Sequence, residues 1–240
     1  MVSASTVLTY ETGAMNPHSD DCTTAMTAEE GSLGMHLPLP LVLASSSRYR
    51  AQMLAEAGIE SSIDPPQVDE RSFDELFDSM LPAEFAMLLA MKKAESVANR
   101  HSAALVLAGD QVGVLVADGV AMQLHKQPDE DSAVEQLMAM SGTTHELVNA
   151  LVVMNTSTGQ VEQGIDIQRV SMRPFSRVEA QAYVEEFKPF DCAGSYRLED
   201  QDLMATGSEF VIDVQGEDPS GVLGLPIPLL RRMLAAMTQE

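Results

Sequence analysis

The sequence predicts an α/β protein, and three observations predict it. Short apolar runs, Leu41 to Ala44 and Ala103 to Ala108, have the length and flanking breakers of buried strands. Helical patterns closed by serine, proline or glycine alternate with them. Two longer stretches, Glu146 to Met154 and Gln163 to Arg173, flank the turn residues Asn155 to Gly159 and read as long paired strands.

The first unit organises the rest. Leu41 to Ala44 runs into Ser45, Ser46 and Ser47, and Arg48 begins a helix in which Ala51, Leu54, Ala55 and Ala57 face inward before Gly58 closes it. Free N–H groups, the positive end of a helix dipole and the guanidinium groups of Arg48 and Arg50 then lie together, which suits a phosphate. The same serines serve equally as a plain helix cap, with the arginines as solvated charges.

Ile59 to Asp78 reads as a short strand and an acidic loop containing Gln67 to Arg71. A helix starts at Leu81-Pro82 and runs to about Arg100, with Phe85, Leu88, Leu89 and the stem of Lys92 on its inner face. Lys92 and Lys93 in its later turns either reach a ligand or complement the helix dipole. The strand ending at Ala108 gives way to Gly109-Asp110-Gln111, then a second strand from Val112 to Val116, with Asp118-Gly119 as a hairpin turn. A carboxylate at a strand tip can hold a metal or take a proton from water, and it can also cap a turn.

Lys126 precedes a helix from about Pro128 to Met140, and Ser176 to Glu179 is a capping box opening a helix to about Phe187. A small-residue loop, Asp191 to Tyr196, leads to Glu199. Phe210 to Val214 reads as a last strand, and Pro226 to Met237 as a terminal helix.

Composition limits what this scaffold can bind. The 240 residues carry 14 Lys+Arg against 36 Asp+Glu, a net charge of −22. Such a chain repels nucleic acid and anionic membrane, so a phosphate ligand needs a local cluster of the few cations and a divalent ion. No apolar run reaches a membrane span of about 18 residues. Cys22 and Cys192 are too few for a disulfide framework, and a reduced cytoplasmic setting is expected. Residues 1–36 contain no Lys or Arg and are rich in Ser, Thr and Ala, so a disordered tail is expected there, with Met35 as an alternative start.

The motifs LVLASSSRYRAQML, PPQVDE, LAMKKAESVA, LAGDQVGVL, the lysine of HKQP, SGTTHELVNALVV, DCAGSYRLE and EDPSGVLGLPIPLL occur in this order. In that order they resemble the Maf-like nucleotide pyrophosphatases, over about residues 39 to 238. The resemblance implies one such domain over residues 37–240, with a mixed, extended central sheet, two lobes and a cleft between them. The Asp110-Gln111 pair and the FDCAGSYRLE segment look like the branch that hydrolyses 7-methyl-GTP. From that branch the resemblance carries over Asp110 as proton acceptor and Tyr49, Gln111 and Glu199 as specificity residues. It puts Ser45, Arg50, Lys93 and Lys126 around the phosphates, and Asp110 with Glu70 at a divalent cation, Mg²⁺ or Mn²⁺.

The substrate implied is a nucleoside triphosphate, cleaved to a monophosphate and pyrophosphate, with a homodimer left open. N7-methylation makes guanine cationic, which an aromatic face at Tyr49 and a carboxylate at Glu199 would both favour. In an acidic chain Glu199 also reads as an exposed acid. Two departures stand out: Arg48-Tyr49-Arg50-Ala51 where the branch has Pro-Trp-Arg-Arg, and His125-Lys126-Gln127 where it has Gly-Lys-Pro. A catalytically weak nucleotide-binding regulator of cell division and a dTTP/UTP pyrophosphatase are the competing readings; Asp110 speaks against the first and Gln111 against the second.

Overall fold

The computed structural model describes residues 36–117, 119–198 and 209–238. In chain order these form β1 (Leu41–Ala44), α1 (Arg48–Glu56), β2 (Ser62–Ile63), a 3-10 helix (Glu70–Ser79), α2 (Pro82–Ala98), β3 (Leu105–Ala117) and β4 (Val120–Leu124). Then come α3 (Glu130–Met140), β5 (Thr144–Asn155), β6 (Val161–Met172), α4 (Arg177–Phe187), β7 (Val211–Gln215), a short 3-10 turn (Pro219–Gly221) and α5 (Ile227–Ala236).

One mixed sheet of seven strands runs in the order β2-β1-β3-β5-β6-β7, with β4 also paired to β3. β1 is parallel to β2 and β3, and the other pairings are antiparallel. The 13-residue β3 decides the architecture. One of its edges pairs with β5 from Leu105 to Leu115. Its other edge is shared: β1 covers Leu105 to Ala108 and β4 covers Gly113 to Ala117, so Gly109 to Val112 have no strand beside them.

Side-chain alternation along these strands sorts the core into three parts. Val106, Ala108, Val112 and Val114 pack with Phe85, Leu89 and Val97 of α2 on one face. On the opposite face Leu105 and Leu107 pack with Leu54 of α1 and Leu230 and Leu234 of α5. Farther along that face Leu115 packs with Leu137 of α3 and Tyr183 and Val184 of α4. Two helix pairs thus cover the two ends of one face and leave its middle open, which gives the two lobes.

Local signals account for the helix starts. Ser47 caps α1, Asp129 caps α3 through Ser132 N–H, and Ser176 and Glu179 form a reciprocal box on α4. Glu84 accepts from the Leu81 N–H at the start of α2, where Pro82 needs no partner for its nitrogen.

Three sequence expectations are corrected. Gly109-Asp110-Gln111 does not interrupt a strand; β3 passes straight through it. The loop expected after Ile59 contains a 3-10 helix from Glu70 to Ser79, with Phe77 buried against Phe85. The inner face of α2 is Phe85, Ala86, Leu89, Ala90, Lys93, Ala94 and Val97, so Lys93 is buried while Lys92 pairs with Glu95 at the surface.

Candidate active site

The uncovered stretch of β3 is the floor of a cleft of about 940 Å³. Alternation sends Asp110 toward α2 and Gln111 toward the gap between the helix pairs. Ser45, Tyr49, Arg50, Glu70, Lys93, Asp110, Gln111 and Lys126 all line this cleft. Glu199 lies outside the described residues.

Asp110 is 6% exposed and Lys93 7%. Lys93 Nζ donates to Asp110 Oδ1 and lies 3.0 Å from Glu70 Oε2. The ammonium offsets the charge of a carboxylate that a buried floor would otherwise tolerate poorly. It also ties α2, β3 and the start of the 3-10 helix together.

Arg50 fills the gap between β1 and β4. Its Nη1 donates to the carbonyl of Gly109 at 2.7 Å, satisfying a strand edge without a neighbour, and its Nε donates to the Gly224 carbonyl at 2.9 Å. Burial lowers the guanidinium pKa from its usual value, and the nearby Asp110 and Glu70 carboxylates oppose that shift. Arg50 is thus first a strut, with Nη2 left for a ligand. Ser45 is buried and accepts from the Ser47 N–H at 3.1 Å, so the serines cap α1 and line the cleft at once.

Lys126 approaches from the other lobe. Gln136 of α3 holds its loop: Oε1 accepts from His125 N–H and Gln127 Nε2, and Nε2 donates to the His125 carbonyl and to Ser195 Oγ. Tyr49 lies at the rim with the Arg48 guanidinium 5.0 Å from its ring centroid and bonded to its hydroxyl at 3.1 Å. The arginine that stands at an unusual place in the sequence therefore lies over one of the two faces of the aromatic ring expected to meet a base.

The sequence reading missed a buried polar row across the sheet. Gln111, Asn149, Asp166 and Gln168 form it, joined by hydrogen bonds of 2.9 to 3.1 Å. Asn149 in the middle of an apolar run was the available signal.

A divalent cation fits the donor set. Glu70 and Asp110 each spend one oxygen on Lys93 and keep the other, and Mg²⁺ is commonly held by one or two carboxylates together with substrate phosphates. Among the described residues no group of three or more His, Cys, Asp or Glu forms a cage.

A carboxylate, two lysines and a half-buried arginine line one cleft along an interrupted sheet edge of an α/β protein, an arrangement that suits a phosphorylated ligand. The chain belongs to the Maf-like protein family, whose model matches residues 40–237. A 7-methyl-GTP pyrophosphatase of Methylobacillus flagellatus is 35% identical over 197 residues, which cover 82% of this chain and 96% of that protein. One of the same name from Pseudomonas putida is 34% identical, covering 84% and 97%. A nucleoside triphosphate pyrophosphatase of Rhodopseudomonas palustris is 36% identical, covering 80% and 92%.

Proposed function

We propose that the protein hydrolyses nucleoside triphosphates at the α-phosphorus, releasing a monophosphate and pyrophosphate, and that 7-methyl-GTP is its preferred substrate. The observation that carries this is the placement of Asp110: a buried carboxylate where one strand edge has no neighbouring strand, held by Lys93, with Arg50 and Lys126 lining the same cleft. The names of the relatives support the same reaction and the same base.

Asp110 accepts the proton of the attacking water. Arg50 Nη2 and Lys126, from opposite lobes, hold the phosphate chain so that attack is in line with the departing pyrophosphate. Lys93 holds Asp110 and Glu70 together at the cleft by offsetting their mutual repulsion. A divalent cation, Mg²⁺ or Mn²⁺, when bound at Glu70 and Asp110, offsets phosphate charge and makes water a better nucleophile. Tyr49 and Glu199 provide the preference for a cationic base.

The reading places the protein in the cytoplasm, where Cys192 remains a free thiol. Among the described residues no helix is long and apolar enough to cross a membrane. The test is a panel of ordinary and modified nucleoside triphosphates with Mg²⁺ and with Mn²⁺, reading pyrophosphate. Release from 7-methyl-GTP at the highest kcat/KM is expected, and no release from any triphosphate would overturn the reading.

A further inference from the structure

We infer that Asn149 and Asp166 are positioning residues that decide which atom of Gln111 meets the base: its carbonyl oxygen, a hydrogen-bond acceptor. The inference rests on the proposed hydrolysis of nucleotides and adds how the same cleft selects the base.

The argument starts at the far end of the row. Asn149 and Gln168 are fully buried and Asp166 is 6% exposed. A carboxylate only accepts, and Asp166 Oδ2 receives Asn149 Nδ2 at 3.0 Å and Gln168 Nε2 at 2.9 Å. Asn149 Nδ2 also donates to the Gly221 carbonyl at 2.8 Å, so both its hydrogens are committed on that side. Its Oδ1 is thereby turned to Gln111, whose Nε2 donates to it at 3.1 Å. The Gly221 and Val222 carbonyls accept from the same nitrogen at 3.1 and 3.0 Å.

Two hydrogens on Gln111 Nε2 therefore face three protein acceptors, and none is free for a ligand. Two of the three are backbone carbonyls, which only accept, so the polarity holds as long as Asn149 and Asp166 keep the Gly221 loop seated against Gln111. What remains is Gln111 Oε1, on a side chain that lines the cleft and to which no donor is assigned among the described residues. An acceptor there favours a base with N–H groups on its edge. Guanine presents N1–H and a 2-amino group side by side, whereas adenine offers only its 6-amino group, next to an acceptor at N1 that would face the Gln111 oxygen unfavourably.

The same row seats the loop that carries the acceptors. A Cβ on Gly221 would lie 2.3 Å from Asp166 Oδ2, so backbone rests directly on the carboxylate. Three residues on, the Gly224 carbonyl takes Arg50 Nε. Base selection and the phosphate strut thus share one support.

Asp166→Asn tests this, because an amide at 166 can turn a donor toward Asn149 Nδ2 and the Gly221 backbone, which unseats both Asn149 and the loop that together hold Gln111. Pyrophosphate release from GTP and from ATP is measured for both proteins. We expect the GTP-over-ATP ratio of kcat/KM to fall at least about threefold, a readout that loss of stability alone would not move. A ratio unchanged, or an equal fall for both nucleotides, overturns the inference while leaving triphosphate hydrolysis standing. Absence of turnover by the unaltered protein fails that activity instead, so a second measurement needs none: the side-chain NH₂ of Gln111, assigned in ¹⁵N-labelled protein by its loss in Gln111→Glu. Slow proton exchange in the unaltered protein and faster exchange in Asp166→Asn are expected. Free exchange in the unaltered protein overturns the inference.

Discussion

Lys93 stands between two carboxylates, and that single placement fixes the chemistry available at the residue scale. Asp110→Asn keeps the shape and removes the proposed proton acceptor, so turnover should fall by at least about a hundredfold with the fold intact. Pyrophosphate kinetics beside a thermal melt check it. Near-normal turnover would make Glu70 the base. A different residue sets the acid limit of the fold. His145 is buried, with Nε2 2.8 Å from Tyr196 Oη and Nδ1 without a partner among the described residues. Burial pushes its pKa down from 6.5 to about 4. Its unfolded form therefore binds a proton first, and stability is unaffected above pH 6.5 but is lost as pH falls from 6.5 to about 4. The loss amounts to about 3 kcal/mol at most, at about 1.4 kcal/mol per pH unit. Asp64 and Glu179 are lowered from 3.8 and 4.5 to about 2, so their contribution is whole above 4.5 and is lost as pH falls from there through about 2. Denaturant melts of His145→Gln should show a flatter limb between pH 6.5 and 4 and the same fall below it.

Elements explain what the sequence disclosed and what it hid. Caps at Ser47 and Ser176 made two helix starts readable, and alternation made β5 and β6 readable. Gly109-Asp110-Gln111 looked like a break because glycine and aspartate usually end strands; here they continue β3 where its neighbour changes from β1 to β4. On α2, Phe85 and Leu89 fit two adjacent stripes, and only the buried Asp110 selects the one containing Lys93. Asp166 and Gln168 lie on a strand whose alternation placed them among polar positions, so their burial under the Gly221 loop depended on chain 53 to 55 residues away in sequence. Most expected site residues, from Ser45 to Lys126, do share one cleft, while their supports were not legible. Gln136 is such a support. Gln136→Ala should free the His125-Lys126-Gln127 loop, raising KM for triphosphate about five- to tenfold with a smaller change in kcat, since four hydrogen bonds to that loop and Ser195 are lost. An unchanged KM would show that Lys126 does not need the strap.

At the scale of the whole molecule, two fields of opposite sign act on the substrate. The chain carries −22, which repels a triphosphate, while Arg50 and Lys126, the proposed phosphate contacts not spent on Asp110 and Glu70, would attract it once it enters the cleft. Their ranges differ. At about 10 mM salt the screening length is about 30 Å, so the approaching nucleotide feels the whole acidic surface; at about 150 mM it is about 8 Å, and mainly the cleft is felt. Buried pairs such as Lys93 with Asp110 are screened far less. Repulsion therefore fades first as salt is added, and kcat/KM should rise between about 10 and 150 mM NaCl at fixed divalent cation, the reverse of an enzyme that steers its substrate in. The rise should fall on KM, because chemistry in the cleft is shielded from the bulk ions. A kcat/KM that declines over this range would mean that the cleft cations govern approach as well as binding, and that the acidic residues are too far from the entrance to matter.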